Sequence, residues 1–300
     1  MAPPRSSTRP PGESGSDLEI DDGRRDDGGV APLIAVPAEL HSIASPLRPI
    51  DGDLADIATQ RAIRHALDAI PAWRDWAASL PPIGLVPIHI GPGLGIAENT
   101  TESRKLLVGL ASRWGIVPPY AIGGTAVTEV TPRGGSAWSH SSNDCPAPPH
   151  TAGFFEPAPP MACVFACVRP HAGGGAETTV VDLDRLFASA DSGDLRRWRE
   201  GEWRYRTSAR FGRTSHPLTI LRDVGGLPFL RYRREYMEGD GLESLEALVN
   251  DPSNALVYAL QRDEILVHWN GAPHGRRPQV GETPASEGER RLLLRCRIER

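Results

Sequence analysis

Three histidines fall in two neighbourhoods of the chain. His150 opens "HTAGFFEPAPP", and far downstream His268 and His274 bracket the turn in "HWNGAPHGRRP". Neutral imidazole is the commonest side-chain ligand for a transition metal. A single histidine is more often a surface or core residue, so the reading rests on the constellation. Between the two neighbourhoods lies a glycine-rich turn running into a threonine, "GGGAETTVVD", with Thr178. The chain closes on "ERRLLLRCR", in which Arg291 and Arg295 stand four residues apart. Arg291 sits among leucines, and a buried guanidinium needs a carboxylate that fits its two-pronged donor geometry. Metal ligation combined with carboxylate capture is the chemistry these residue types could perform together.

Such residues need a rigid frame. From about residue 125 the chain reads as short β-rich runs punctuated by Gly and Pro: "TAVTEVTP", "MACVFACVRP", "ETTVVDL", "LTILRDV", "LPFLRYRRE", "DEILVHWN" and "RRLLLRCRIE". "IGLVPIHIG" is a further short strand, placed at an edge or bulge by Pro87. Before these, "DGDLADIATQRAIRHALDAI" has apolar residues at helical spacing behind candidate caps Asp51 and Asp53, and Pro71 marks its expected end. "ESRKLLVGLASRWG" reads as a second helix stopped by Gly115, and "DLDRLFASA" and "GLESLEALVND" as later ones. Helices first and many strands later predict a mainly β fold with flanking helices, a jelly roll or barrel. "MAPPRSSTRPPGESGSDLEIDDGRRDDGG", residues 1–29, is too poor in apolar residues to offset its ordering entropy and reads as a disordered tail. Residues 30–300 read as a single domain.

The bulk properties narrow the function classes. The chain has 300 residues, is 39% hydrophobic and carries a formal net charge of -5. That balance gives no global signal for a nucleic acid polymer or a membrane surface. No apolar run approaches the roughly 20 residues of a membrane span, and there is no apolar signal-peptide core. Cys145, Cys163, Cys167 and Cys296 form no CxxC pair and no disulfide framework, so a reducing cytoplasm is expected. Cys163 and Cys167 share one face of the strand in "MACVFACV". They read as small core residues, because soft metal ligands would need partners that the local sequence does not supply.

Over roughly residues 80–300 the order of motifs resembles the iron(II)/2-oxoglutarate-dependent oxygenases, in the branch of taurine dioxygenase and clavaminate synthase. The matching features are His150, the bend at Pro159 and Pro160, the strand "MACVFACVRP", Thr178 after the glycine turn, Asn270 and His274 in "DEILVHWNGAPHGRRP", and the Arg291/Arg295 pair. The resemblance implies a cupin-like double-stranded β-helix core. It makes His150 and His274 the iron ligands, with Thr178, Arg291 and Arg295 on the 2-oxoglutarate and dioxygen as co-reactant. The Asn270–His274 gap is one residue shorter than the common pattern, which leaves His268 as a rival ligand placed before the turn. The segment at about 190–240, between the two iron histidines, corresponds to a substrate lid.

Ala152 departs from the family, which carries an aspartate or glutamate there. Alanine offers no donor atom, so one metal position is left open and one negative charge is missing. A small anion meets both deficits. The family's halogenases have His-x-Ala or His-x-Gly at this place, with chloride in the vacated position, so the resemblance implies hydrogen abstraction followed by chloride transfer to carbon. A hydroxylase remains an alternative, with water or an acid such as Asp144 or Glu156 standing in for the carboxylate. So does a non-catalytic binding homologue.

Residues 195–235 carry eleven arginines against four acids, a local charge of +7. A solvated basic face is one explanation. An anionic small-molecule substrate held by arginine forks is the other, with Arg210, Arg213 and Phe211 as contacts and a nucleotide such as deoxyadenosine monophosphate as the leading candidate. A phosphopantetheine carrier protein is a further possible partner. There is no GxxxxGK[ST] loop to suggest phosphate hydrolysis.

Overall fold

In a computed structural model, residues 31–41, 43–120, 124–131, 147–171, 176–206, 215–277 and 290–300 are described. The segment 1–29 and residues Asp144, Cys145, Arg210, Phe211 and Arg213 lie outside them.

The described strands are mainly organised as two sheets packed face to face, which do not join into a closed barrel. The larger sheet runs β1 (Leu33–Ile34), β2 (Ile88–Ile90), β13 (Ile265–Trp269), β5 (Ala162–Arg169), β15 (Leu292–Ile298), β3 (Thr128–Val130). The smaller runs β12 (Ala255–Tyr258), β6 (Thr178–Val181), β14 (His274–Arg276), β4 (Ala147–His150). Within each sheet the neighbours are antiparallel except β1 with β2. This is the expected mainly β, cupin-like architecture with flanking helices.

β5 shows why the core sits where it does. Ala162, Val164, Ala166 and Val168 face one apolar cluster, and Cys163, Phe165 and Cys167 face the other. Successive side chains of a strand point to opposite sides. A strand covered on both faces therefore reads as one continuous apolar run, as "ACVFACV" does. The first cluster is completed by α1 (Ile57–Asp68), α2 (Pro71–Ser79) and α3 (Thr101–Ala111). The second lies between the sheets and the later elements, α4 (Leu183–Ser189), α5 (Ser192–Glu200) and α6 (Leu242–Asn250) among them. In β15 the alternation puts Leu294, Cys296 and Ile298 on the helix side. Arg295 and Arg297 therefore project toward the second sheet.

Three local expectations need correction. α1 is capped by Asp56, whose carboxylate accepts from the Thr59 N–H at 2.9 Å, and not by Asp51 or Asp53. Pro71 does not simply end a helix but begins α2, in the first-turn position where its missing N–H costs nothing. Pro87 precedes β2 and does not relegate it to an edge, since β2 pairs with both β1 and β13.

The segment at 190–240 folds into α5, a three-stranded sheet ordered β11 (Met237–Glu238), β7 (Arg204–Arg206), β8 (Ser215–Pro217), and a hairpin of β9 (Leu221–Val224) with β10 (Leu227–Leu230). It is joined to the residues after β4 through Thr151. The Thr151 N–H donates to Tyr232 O at 2.8 Å, and its hydroxyl donates to Leu230 O at 2.7 Å. Among the described residues no helix is long and apolar enough to cross a membrane.

Candidate metal centre

Strand register brings the two distant histidine neighbourhoods together. β14 pairs with β4 so that His274 lies opposite His150, and with β6 so that Arg276 lies opposite Thr178. The His150 and His274 rings are 4.7 Å apart between centroids. His268, near the end of β13, is also 4.7 Å from His274, and Phe165 lies against both rings, 5.8 Å from His268 and 5.4 Å from His274. His274 therefore touches two imidazoles.

The turn carrying Ala152 is fixed from below by Asn270, which is fully buried. Its amide donates to Ala152 O at 3.0 Å and Pro160 O at 2.8 Å, and its carbonyl oxygen accepts from the Ala152 N–H at 2.9 Å. Gly153 follows in the left-handed region, with φ +61°, and a Cβ there would meet the Glu156 carboxyl at 2.8 Å. Glu156 itself is held in a two-pronged ion pair with Arg297, both contacts at 2.9 Å. Of the two acids considered as substitutes for the missing carboxylate, Glu156 is thus committed elsewhere, and Asp144 lies outside the described residues.

Burial sets the protonation states. It pulls His274 well below the usual histidine value, with help from the positive charge of His150, His268, Arg295 and Arg233. Burial lowers His268 to about 4, against a hydrogen bond to Trp269 O that favours the charged form. Both rings are neutral at pH 7, which is the form that ligates metals. His274 Nδ1 and His268 Nε2 are buried without a hydrogen-bond partner. Orphaned nitrogens of this kind, on neutral rings beside His150, fit a metal centre.

The pH consequence follows from the sign of the shift. Folding moves His268 from 6.5 to about 4, so between those values the unfolded chain binds protons more readily. Stability of the metal-free protein is expected to be fully present above about pH 6.5 and to fall as the pH drops toward 4. Denaturant melts across that range will check it. His268→Phe, which preserves stacking on Phe165, is expected to flatten the slope.

At the far end of β14 the Arg291 guanidinium donates to the Thr178 hydroxyl oxygen at 2.9 Å. Arg291 is 5% exposed, and burial lowers it to about 10, so it is still charged at neutral pH. A hydroxyl does not neutralise that charge. The remaining guanidinium donors and the Thr178 proton fit one end of a dicarboxylate. Arg291→Ala is expected to weaken binding of a dicarboxylate such as 2-oxoglutarate on the order of ten- to a hundredfold, from a charge-assisted contact of about 1.5 to 3 kcal/mol. Calorimetric titration of the dicarboxylate into both proteins measures it. Arg295 stands nearer the histidines, its guanidinium 4.9 Å from the Tyr120 ring centroid.

The basic segment divides in two. Arg197 pairs with Asp194, Arg234 with Glu246 and Arg206 with Glu238, which accounts for part of its charge as ordinary ion pairs. Arg231 instead is buried and donates to Pro157 O at 3.0 Å, while Arg233 pairs with Glu235 at 3.7 Å and also lies over Phe154 and Tyr236, 5.8 and 5.2 Å from their centroids. Sequence reasoning did not single out Arg231, Arg233, Arg297 or Tyr120, whose positions depend on cross-strand neighbours. The regular alternation in β15 was the available signal for Arg297.

No protein-family model matches the chain, and no curated protein sequence matches it. Solved structures do. An asparagine oxygenase in complex with Fe(II), 2S,3S-3-hydroxyasparagine and succinate superposes with a TM-score of 0.74 at 20% identity, over 89% of this chain and 93% of that one. The non-heme iron oxygenase OrfP in complex with Fe, succinate and (3S)-hydroxy-L-Arg gives 0.66 at 16% identity, over 90% and 94%. The PvcB protein from Pseudomonas aeruginosa gives 0.52 at 23% identity, over 71% and 75%. The chain has the fold of the asparagine oxygenase and of OrfP across nearly the whole length of each.

Proposed function

We propose that the chain is an iron(II)- and 2-oxoglutarate-dependent enzyme that oxidises a C–H bond of a small molecule, and that the open position at Ala152 makes it a halogenase. The observation that carries the first part is the ring-to-ring approach of His150 and His274, the latter held neutral by burial, beside the Arg291–Thr178 contact. In this reading His150 and His274 hold the iron, while Arg291 and Thr178 bind the distal carboxylate of 2-oxoglutarate and Arg295 steadies its other end. Bound there with its cosubstrate and dioxygen, iron supplies an oxidant able to take hydrogen from an unactivated carbon. Burial holds the His274 imidazole neutral, so no proton competes with the metal for its lone pair. Ala152 supports the second part, because its methyl adds no ligand and Glu156 is engaged by Arg297. Chloride then fills the vacant position and supplies the missing negative charge.

The substrate in this reading is small and anionic, met by Arg231 and Arg233 over the Phe154–Tyr236 stack, with Arg210, Arg213 and Phe211 as further contacts. A nucleoside monophosphate is the leading candidate. The second reading is hydroxylation of an amino acid, favoured by the hydroxyasparagine and hydroxyarginine named for the structural relatives.

One experiment separates them. Iron-loaded protein is incubated with 2-oxoglutarate and a panel of nucleotides, nucleosides and amino acids, with chloride, with bromide and without halide. The halogenase gives a chlorinated or brominated product matched to the halide present. A hydroxylated product of equal yield in all three conditions would sink the halogenase. Absence of succinate throughout would leave a binding protein.

A further inference from the structure

The iron reading pairs His274 with His150. A second set of donors also meets at His274. Cys163 at the start of β5 lies directly across from His268 on β13. One ligand atom each from Cys163, His268 and His274 fall within 4.8 Å of one another. His150 is not in that group. All three residues are at most 4% exposed. His268 Nε2 and His274 Nδ1 have no hydrogen-bond partner there, and a buried nitrogen left unpaired is costly unless something binds it. The Cys163 thiol has only a long contact, 3.8 Å, to Asn270 Oδ1.

We propose that Cys163, His268 and His274 form a second metal position, sharing His274 with the iron position, which takes a thiophilic divalent cation of the zinc type. One sulfur and two imidazole nitrogens make a three-ligand set that leaves a fourth tetrahedral position for water. Thiolate favours zinc over ferrous iron, and zinc also stands above iron in intrinsic affinity for nitrogen and sulfur ligands. The metal–sulfur bond forms as the thiol proton leaves to solvent. Burial raises the Cys163 thiol to about 11, against the opposing pull of Arg295 and Arg297, so it is the metal that draws the proton off. A neutral imidazole has one lone pair, so His274 serves one ion at a time. Zinc in the inner position therefore removes a ligand from the outer one, and the device switches the centre off in zinc excess.

The site does not depend on the halogenase reading, and its test needs no turnover. Metal-free full-length protein is titrated with Co(II) and followed by absorbance. The expected result is a thiolate-to-cobalt charge-transfer band in the near ultraviolet that saturates at one ion per chain and is bleached by Zn(II). The band is expected to persist in His150→Ala and to vanish in Cys163→Ala, which retains the other cysteines. A wild type that binds cobalt without the band, a band that survives Cys163→Ala, or one that is lost in His150→Ala would each overturn the proposal. If Cys163→Ala does not fold by circular dichroism, His268→Gln is read instead. It is expected to weaken the band-forming affinity by about tenfold or more, and an unchanged affinity refutes the site. X-ray absorption of the zinc-loaded wild type is expected to show one sulfur at about 2.3 Å, and a shell without sulfur refutes it.

Discussion

His274→Ala is expected to bring 2-oxoglutarate turnover to background, whereas His268→Ala is expected to retain it. With Ala152 in place of a carboxylate, the proposed iron has two protein ligands, so removing one leaves a single imidazole and no chelation. His150→Ala carries the same expectation. The comparison with His268 is the informative one, because its ring stands as far from His274 as that of His150 does, 4.7 Å in both cases. What separates them is the strand each occupies. His150 faces His274 across the β4–β14 ladder, beside the Ala152 turn, while His268 lies on β13 against Phe165. Succinate formation and iron content, measured on the three variants, check the assignment. Loss of turnover in His268→Ala with retention in His150→Ala would move the iron to the inner pair.

Ala152→Asp is expected to abolish halogenation while iron and 2-oxoglutarate still bind. The added carboxylate reaches the position assigned to chloride and supplies the charge that chloride would bring, so the halide loses both reasons to bind. The Asn270 contacts to the residue 152 backbone are made by main-chain atoms and survive the change. Hydroxylation of the same substrate is not a required outcome, since the substrate carbon is placed by other residues. Mass spectra of products in chloride and bromide test this. A variant that still transfers halide would show that chloride binds elsewhere.

The sequence reading was strongest where a residue's neighbours are also its neighbours in the chain. β5 was legible because burial on both faces leaves a run of apolar residues, Arg291 stood out among leucines, and Arg295 by its four-residue spacing from it, which the family resemblance implies. It failed where partners come from distant strands. Nothing near Glu156 announces Arg297, and nothing near Cys163 announces His268, because each contact is created by sheet register. Pro71 did mark the end of α1, but that it also opens α2 was missed, and Pro87 was misread, since the missing N–H is harmless at the first turn of a helix and just outside a strand. The small sheet formed by β7, β8 and β11 has strands of two or three residues, too short for any period to appear.

Asn270 grips residue 152 only by its peptide groups, accepting from its N–H and donating to its carbonyl. The fastening of the turn is therefore indifferent to the side chain that the turn displays. Alanine and aspartate codons differ by one base, so a lineage can exchange one for the other in a single step without first refolding the turn. Reactivity and architecture at this position are inherited separately. Because Ala152 is packed into the core, only small replacements there, glycine, serine or aspartate, are expected to yield folded proteins of differing chemistry, whereas replacements at Asn270 are expected to be mostly unstable.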